Sequence, residues 1–178
     1  MQPFAHQDIQ GWLRPGLYVA ASSIQGQGLF TERPIDAGEL VVRWGGRILP
    51  ASTRDAGGVR DHTSVAIAEG VVIAALPDQE CSPDDFMNHS CDSNLWMHDA
   101  LTLCARRRIE AGEELTADYA LWMDAETYVM RRECNCGAPA CRRIVTGRDW
   151  RLTALRERYS GHFSPFLQRR IAGERAAS

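Results

Sequence analysis

Three cysteines, Cys134, Cys136 and Cys141, follow the spacing C-x-C-x4-C, and a fourth, Cys91, closes the polar run Asn88-His89-Ser90-Cys91. Thiolates so spaced are zinc ligands, and a structural zinc takes four of them in a tetrahedron. Three on one tight loop leave the site a ligand short, so the fourth must come from elsewhere, and Cys91 is the best placed by chemistry. One ion would then clamp mid-chain to a segment near the C-terminus. Cys81 and Cys104 are left over; each lies in or beside an apolar stretch and reads as a buried small hydrophobe.

Gly26-Gln27-Gly28 permits close backbone approach to a ligand, because glycine lacks a Cβ and accepts positive φ. It is no dinucleotide fingerprint, since the third glycine is missing and no helical pattern follows. The run Phe86 to Asn94 is dense in groups that both donate and accept hydrogen bonds: Asn88, Asn94 and a neutral His89. Gly112-Glu113-Glu114-Leu115-Thr116-Ala117-Asp118-Tyr119 ends in a tyrosine, which alone reads as a core aromatic with a wet hydroxyl. His62 and His98 read as surface or turn residues.

The elements that must hold these groups are short. Leu17–Ser22 reads as a strand entering the Gly26–Gly28 turn, and Leu40–Trp44 as a buried strand stopped by Gly45-Gly46, with Arg47–Leu49 a further strand. Ser64–Ala68 and Val71–Ala75 flank Glu69-Gly70 as a hairpin. Leu101–Arg106 is another strand, and the turns Asp36-Ala37-Gly38-Glu39 and Glu110-Ala111-Gly112-Glu113 share one pattern, each leading into a strand. This predicts a mainly β domain over 14–122. After a cysteine segment at 130–146, the period changes: Trp150, Leu152, Leu155 and Tyr159 share a helical face, with Asp149 placed to cap its start and Gly161 its end. Ser164-Pro165 opens a second helix toward Ile171, so 147–178 reads as a helical extension.

With 178 residues, a 44% hydrophobic share and a 24% charged share, the chain can bury a real core but not two large domains. A net charge of -3 gives no field favouring direct nucleic-acid binding, while a basic polypeptide meets no such penalty. All 20 basic residues are Arg; there is no Lys. No apolar run reaches membrane-span length, and the opening Met1–Asp8 lacks the pattern of a secretory leader. The expectation is a cytoplasmic protein with no membrane partner, whose cysteines stay reduced.

Taken together, the ordered motifs G-x-G-L-F at Gly26–Phe30, N-H-S-C at Asn88–Cys91, G-E-E-L-T-x-D-Y at Gly112–Tyr119 and C-x-C-x4-C at Cys134–Cys141 resemble the SET-domain family of protein-lysine methyltransferases with a zinc-binding post-SET segment. The resemblance covers roughly 14–146. It implies small curved sheets with a pseudoknot, in which the N-H-S-C segment lies beneath the chain carrying Tyr119. It implies transfer of methyl groups from S-adenosylmethionine to a lysine side chain of a protein substrate, such as a basic tail. Tyr119 would be catalytic, and Gly26, Gln27, Gly28, Asn88, His89 and Tyr119 would hold the cofactor. Cys91, Cys134, Cys136 and Cys141 would hold zinc, and Ile144 or Trp150 would cover the adenine. Trp44, Trp96, Met97 and Ala117 fall at the substrate channel. Trp44 stands where members often have Tyr, and Ala117 where they often have a larger aromatic; a fold retained only as a protein-binding module is the alternative these departures favour.

Overall fold

The computed structural model describes residues 8–176. The predicted alternation of short apolar runs and glycine turns folds into strands β1 (Asp8–Ile9), β2 (Trp12–Leu13), β3 (Leu17–Ala21), β4 (Gln27–Thr31), β5 (Leu40–Arg43) and β6 (Gly46–Pro50). After helix α1 (Ala51–Asp55) come β7 (Val65–Ala68), β8 (Val71–Ala74), β9 (Asn88–His89), β10 (Leu95–Met97), β11 (Thr102–Ala105) and β12 (Glu114–Ala117). Helices α2 (Thr153–Arg158) and α3 (Pro165–Ala176) close the chain. One sheet runs β1-β6-β8-β7; the larger runs β2-β5-β11-β10-β12-β4-β3, with β9 added beside β12.

Strand β12 is the hub. It pairs antiparallel with β4 through Leu115↔Leu29, and parallel with both β9 (Thr116↔Asn88, Ala117↔His89) and β10 (Leu95↔Ala117). Both parallel pairings lay the Asn88–Met97 stretch alongside the strand that leads into Tyr119, the juxtaposition that the pseudoknot expectation requires. Parallel partners need a long crossover, and residues 98–113 supply it. The two similar turns within the chain also meet: Ile35 and Ile109 exchange both backbone hydrogen bonds at 2.9 Å, and the Asp36 and Glu110 amides each donate to a glutamate three residues on, at 2.8 and 3.0 Å.

The core is continuous from these sheets into the tail. Leu29, Val42, Leu95, Leu103 and Leu115 are fully buried, and Leu155, Tyr159, Phe163, Phe166, Leu167 and Ile171 join the same cluster. The tail is therefore part of one core, not an appendage.

Several local expectations are corrected. The glycine turn spans Ser22–Gly26, closed by the Ser22 amide on the Gly26 carbonyl at 2.9 Å, whereas Gln27 and Gly28 already belong to β4. Strands β1 and β2 precede residue 14 and join both sheets. The helix after the cysteines is broken: a 3₁₀ turn (Asp149–Arg151) comes first, Leu152 sits exposed between it and α2, and Asp149 caps nothing there because Arg142 and Thr146 claim its carboxylate. Gly161 has φ +80° just past α2, and Ser164 accepts the Leu167 amide at the start of α3, both as predicted. Cys104 is buried, but Cys81 is exposed, carried on the polar stretch before the 3₁₀ turn Pro83–Phe86.

Candidate functional site

Tyr119 is placed by its backbone before its side chain. Asp118, fully buried, caps the 3₁₀ turn Tyr119–Leu121 by accepting the Ala120 amide at 3.0 Å. The Tyr119 amide donates to His89 Nδ1 at 3.2 Å, and its hydroxyl donates to the Met87 carbonyl at 3.0 Å. Because Nδ1 accepts, the His89 proton resides on Nε2, which faces Cys91 Sγ at 3.3 Å. Burial pushes the His89 imidazole down to about 4, outweighing the nearby Asp118 carboxylate. His89 is therefore a neutral strut between Tyr119 and the cysteine cluster, and its 3.8 Å approach to Asp118 is no ion pair.

Tyr119 forms a wall shared by two cavities. On one side lies a space of about 30 Å³ bordered by Ile24, Gln25, Asn88, His89, Met130 and the Glu133–Asn135 stretch. On the other lies a cavity of about 900 Å³ whose lining includes Trp44, Met87 and Trp122. Trp44 and Trp122 meet edge to face at 4.9 Å, and Trp122 lies 5.6 Å from Tyr119. Trp122 directly follows the 3₁₀ turn, three residues after Tyr119, which brings its ring beside Tyr119 at a tilt of 51°; that spacing is the available signal for a residue missed in the sequence.

Of the predicted channel residues, only Trp44 lines this cavity. Trp96 lies flat on His162, with rings 3.4 Å apart and 3° from parallel, while Met97 and Ala117 are core residues. Gly26, Gln27 and Gly28 do not border the small cavity; their neighbours Ile24 and Gln25 do. Of the two adenine candidates, Trp150 is buried in the core under the Arg151 and Arg156 guanidiniums, and Ile144 is exposed. His62 and His98 are exposed, His62 in a turn with φ +66°.

The sulfur atoms of Cys91, Cys134, Cys136 and Cys141 lie within 4.8 Å of one another. Cys91 and Cys134 Sγ are 3.9 Å apart, near the ~3.8 Å edge of a tetrahedron with zinc–sulfur legs of ~2.3 Å. All four thiols are free, so the donor set, its size and its burial fit a closed zinc site. The chain braces it from outside: the Arg142 amide donates to Cys91 Sγ at 3.3 Å, and Arg158 donates to the Cys91 carbonyl at 2.7 Å. The Arg142 guanidinium grips Asp118 bidentately at 2.7 Å on both arms and Asp149 at 2.8 Å. Thus the residue after the last cysteine is tied to the residue before Tyr119.

The fold and this cluster define a class. The chain belongs to the SET-domain family: the model of that family, described as SET domain, matches residues 26–120. Among curated relatives, human Histone-lysine N-methyltransferase 2B is 32% identical over 141 residues, which is 71% of this chain and 5% of that protein. Among solved structures, the methyltransferase domain of human SETMAR matches with a TM-score of 0.60 at 22% identity, covering 75% of this chain and 58% of that one. KRYPTONITE, solved in complex with mCHG DNA and SAH, matches at 0.58 and 25%, covering 74% and 29%. This chain spans about one twentieth of the length of the human 2B protein.

Proposed function

We propose that this chain transfers methyl groups from S-adenosylmethionine to the side-chain amine of a lysine in a protein substrate. The observation that carries the reading is Tyr119 standing between two cavities, one bordered by Asn88 and His89 and one walled by Trp44 and Trp122. Supporting it are the family membership and relatives named as histone-lysine methyltransferases. Bound S-adenosylmethionine supplies an electrophilic methyl group on a sulfonium. Asn88, His89 and Tyr119, with the backbone of Gly26, Gln27 and Gly28, would hold it, and Ile144 is the remaining candidate over its adenine. The Asn88 amide and His89 imidazole are spent on the loop, the Tyr119 amide and Cys91, so these two residues would offer it chiefly their backbone, and a space of about 30 Å³ holds roughly one water. Met130 and the Glu133–Asn135 stretch must move outward to admit it.

Trp44, Trp122 and Met87 would surround the incoming amine with apolar walls, which lower its pKa from ~10.4 toward the neutral form. Tyr119 orients it. Its phenol is raised by burial above the ordinary value, so it acts as a neutral hydroxyl and not as a base. Held by the Met87 carbonyl, the oxygen keeps its lone pairs for an amine N–H. Trp96, Met97 and Ala117 shape the channel only from the second layer in this reading.

Cys91, Cys134, Cys136 and Cys141 would hold a structural zinc that fixes the 130–146 segment against the body over 14–122, with 147–178 packed behind it. Cys136→Ser is expected to lose the metal and disorder the loop; native mass spectrometry reads the zinc directly, and unchanged metal content contradicts the ligand set. Four reduced thiols suit a reducing compartment, in keeping with the expected cytoplasmic placement. No helix among the described residues is long and apolar enough to cross a membrane.

The substrate we propose is a basic protein tail such as that of a histone; at a net charge of -3, direct nucleic-acid contact is no part of the proposal. Since the chain has no lysine, incubation alone with labelled cofactor should leave no label on its side-chain amines, whereas added histone tails should be labelled. A second reading, a binding module without turnover, is favoured by the near-closed space beside Asn88 and the loss of a channel hydroxyl at Trp44. Calorimetric titration of zinc-loaded protein with S-adenosylmethionine separates them: absence of binding selects the module.

A further inference from the structure

The two glycines of Gly26-Gln27-Gly28 are glycines for different reasons. Gly26 has φ +52°, with nothing within 4 Å of where a Cβ would stand, so only backbone conformation requires it. Gly28 has no such φ. A Cβ there would instead press on the Glu114 carboxylate, lying 2.7 Å from Cδ and still closer to Oε1, with Ser22 Cβ at 3.1 Å. A side chain at 28 would therefore displace the Glu114 carboxylate, the far end of a flexible side chain, from the partners that hold it.

That carboxylate holds the loop together. Ser22 Oγ donates to Glu114 at 2.9 and 2.8 Å and accepts the Ile24 amide at 2.9 Å. Asn88 Nδ2 reaches Glu114 Oε1 at 2.7 Å, the Gln25 and Gln27 carbonyls at 3.1 and 3.0 Å, and Ser22 Oγ at 3.1 Å. The Asn88 amide is thus committed to the loop and to Glu114. By contrast its neighbour Glu113 points elsewhere, to Asn94 at 3.0 Å and Arg107 at 2.6 Å. Among the described residues no cation contacts the Glu114 carboxylate, so a hydroxyl and an amide alone satisfy it.

We propose that Glu114 is a positioning residue: by filling the space a side chain at Gly28 would need and joining Ser22 to Asn88, it sets the Ser22–Gly26 turn and so the Ile24–Gln25 edge of the small cavity. This rests on the functional reading for its link to S-adenosylmethionine, but the loop coupling stands apart from it. No contact between Glu114 and the cofactor is involved.

A double-mutant cycle tests the coupling in zinc-loaded protein, using thermal unfolding of the parent, Gly28→Ala, Glu114→Ala and the double variant. Overpacking makes Gly28→Ala lower the midpoint by several degrees in the parent, and by far less once the carboxylate is gone. An equal drop in both backgrounds overturns the proposal. Glu114→Gln keeps the size and alters the donors, so it tests positioning in a folded protein: KM for S-adenosylmethionine should rise roughly tenfold, with kcat and KM for a histone-tail peptide within about twofold. A cofactor KM unchanged by Glu114→Gln overturns the positioning role. A parent protein that binds no S-adenosylmethionine overturns the functional reading alone, and the unfolding cycle still decides whether Glu114 sets the loop.

Discussion

Replacing Tyr119 by Phe is expected to lower methyl transfer by at least roughly tenfold, the worth of one hydrogen bond to a developing charge, with cofactor affinity changed by no more than about twofold. Among the described residues Tyr119 borders both cavities: its hydroxyl donates to the Met87 carbonyl, and the ring is wedged against His89 at 5.1 Å and Trp122 at 5.6 Å. Phe keeps that wedge. What it loses is the oxygen proposed to orient the amine, and it leaves the largely buried Met87 carbonyl without its donor, which costs about 1–3 kcal/mol of stability. Assays well below the unfolding midpoint separate the two losses. Single-turnover rates that match the parent would remove Tyr119 from the chemistry and leave it a packing residue.

The second large effect is expected at Asp118. Its side chain is fully buried and takes both arms of Arg142, whose own side chain is only 13% exposed. Asp118→Ala leaves that guanidinium with Asp149 as its remaining carboxylate, and breaking a buried pair from one side costs about 3–5 kcal/mol. Against a typical total of ~5–15 kcal/mol this is a large share, read by denaturant unfolding of zinc-loaded protein. Exchanging Asp118, Arg142 and Asp149 together for apolar residues of similar volume should recover much of the loss, because no buried charge is then left without its partner. A single-variant cost under about 1 kcal/mol would show that the pair does not tie the cysteine segment to the Tyr119 turn.

How much of this could be read from the residue string follows from what kind of signal each part leaves. Strands β3, β5, β6, β7, β8, β11 and β12 announce themselves by short apolar runs set off by turns, with β-branched content in β7 and β8, and the four-thiol cluster by spacing plus the need for one more ligand. Strand β10 does not. Leu95-Trp96-Met97 is too short for a period, and it becomes a strand only because β11 and β12 flank it. Helix α1 lies in a stretch of small residues whose pattern favours nothing. Leu152 shows the limit of periodicity, since the chain breaks its helix to let Arg142 and Thr146 hold Asp149, a tertiary demand no helical face encodes. Glu114 and Arg142 carry no motif-level distinction from their charged neighbours. Their roles come from where the fold aims them.

The buried tail carries a consequence for how the molecule comes into being. Cys134 to Arg142 and the Leu155–Ile171 side chains are synthesised after the sheets they pack against, yet they supply the cluster's three later sulfurs, the Asp118 partner and part of the main core. A nascent chain halted before residue 134 would hold Tyr119 without its brace, and ribosomal synthesis at roughly 5–20 residues per second sets when docking can begin. The Tyr119 turn therefore gains its Arg142 brace only once the 134–171 stretch has followed it out of the ribosome.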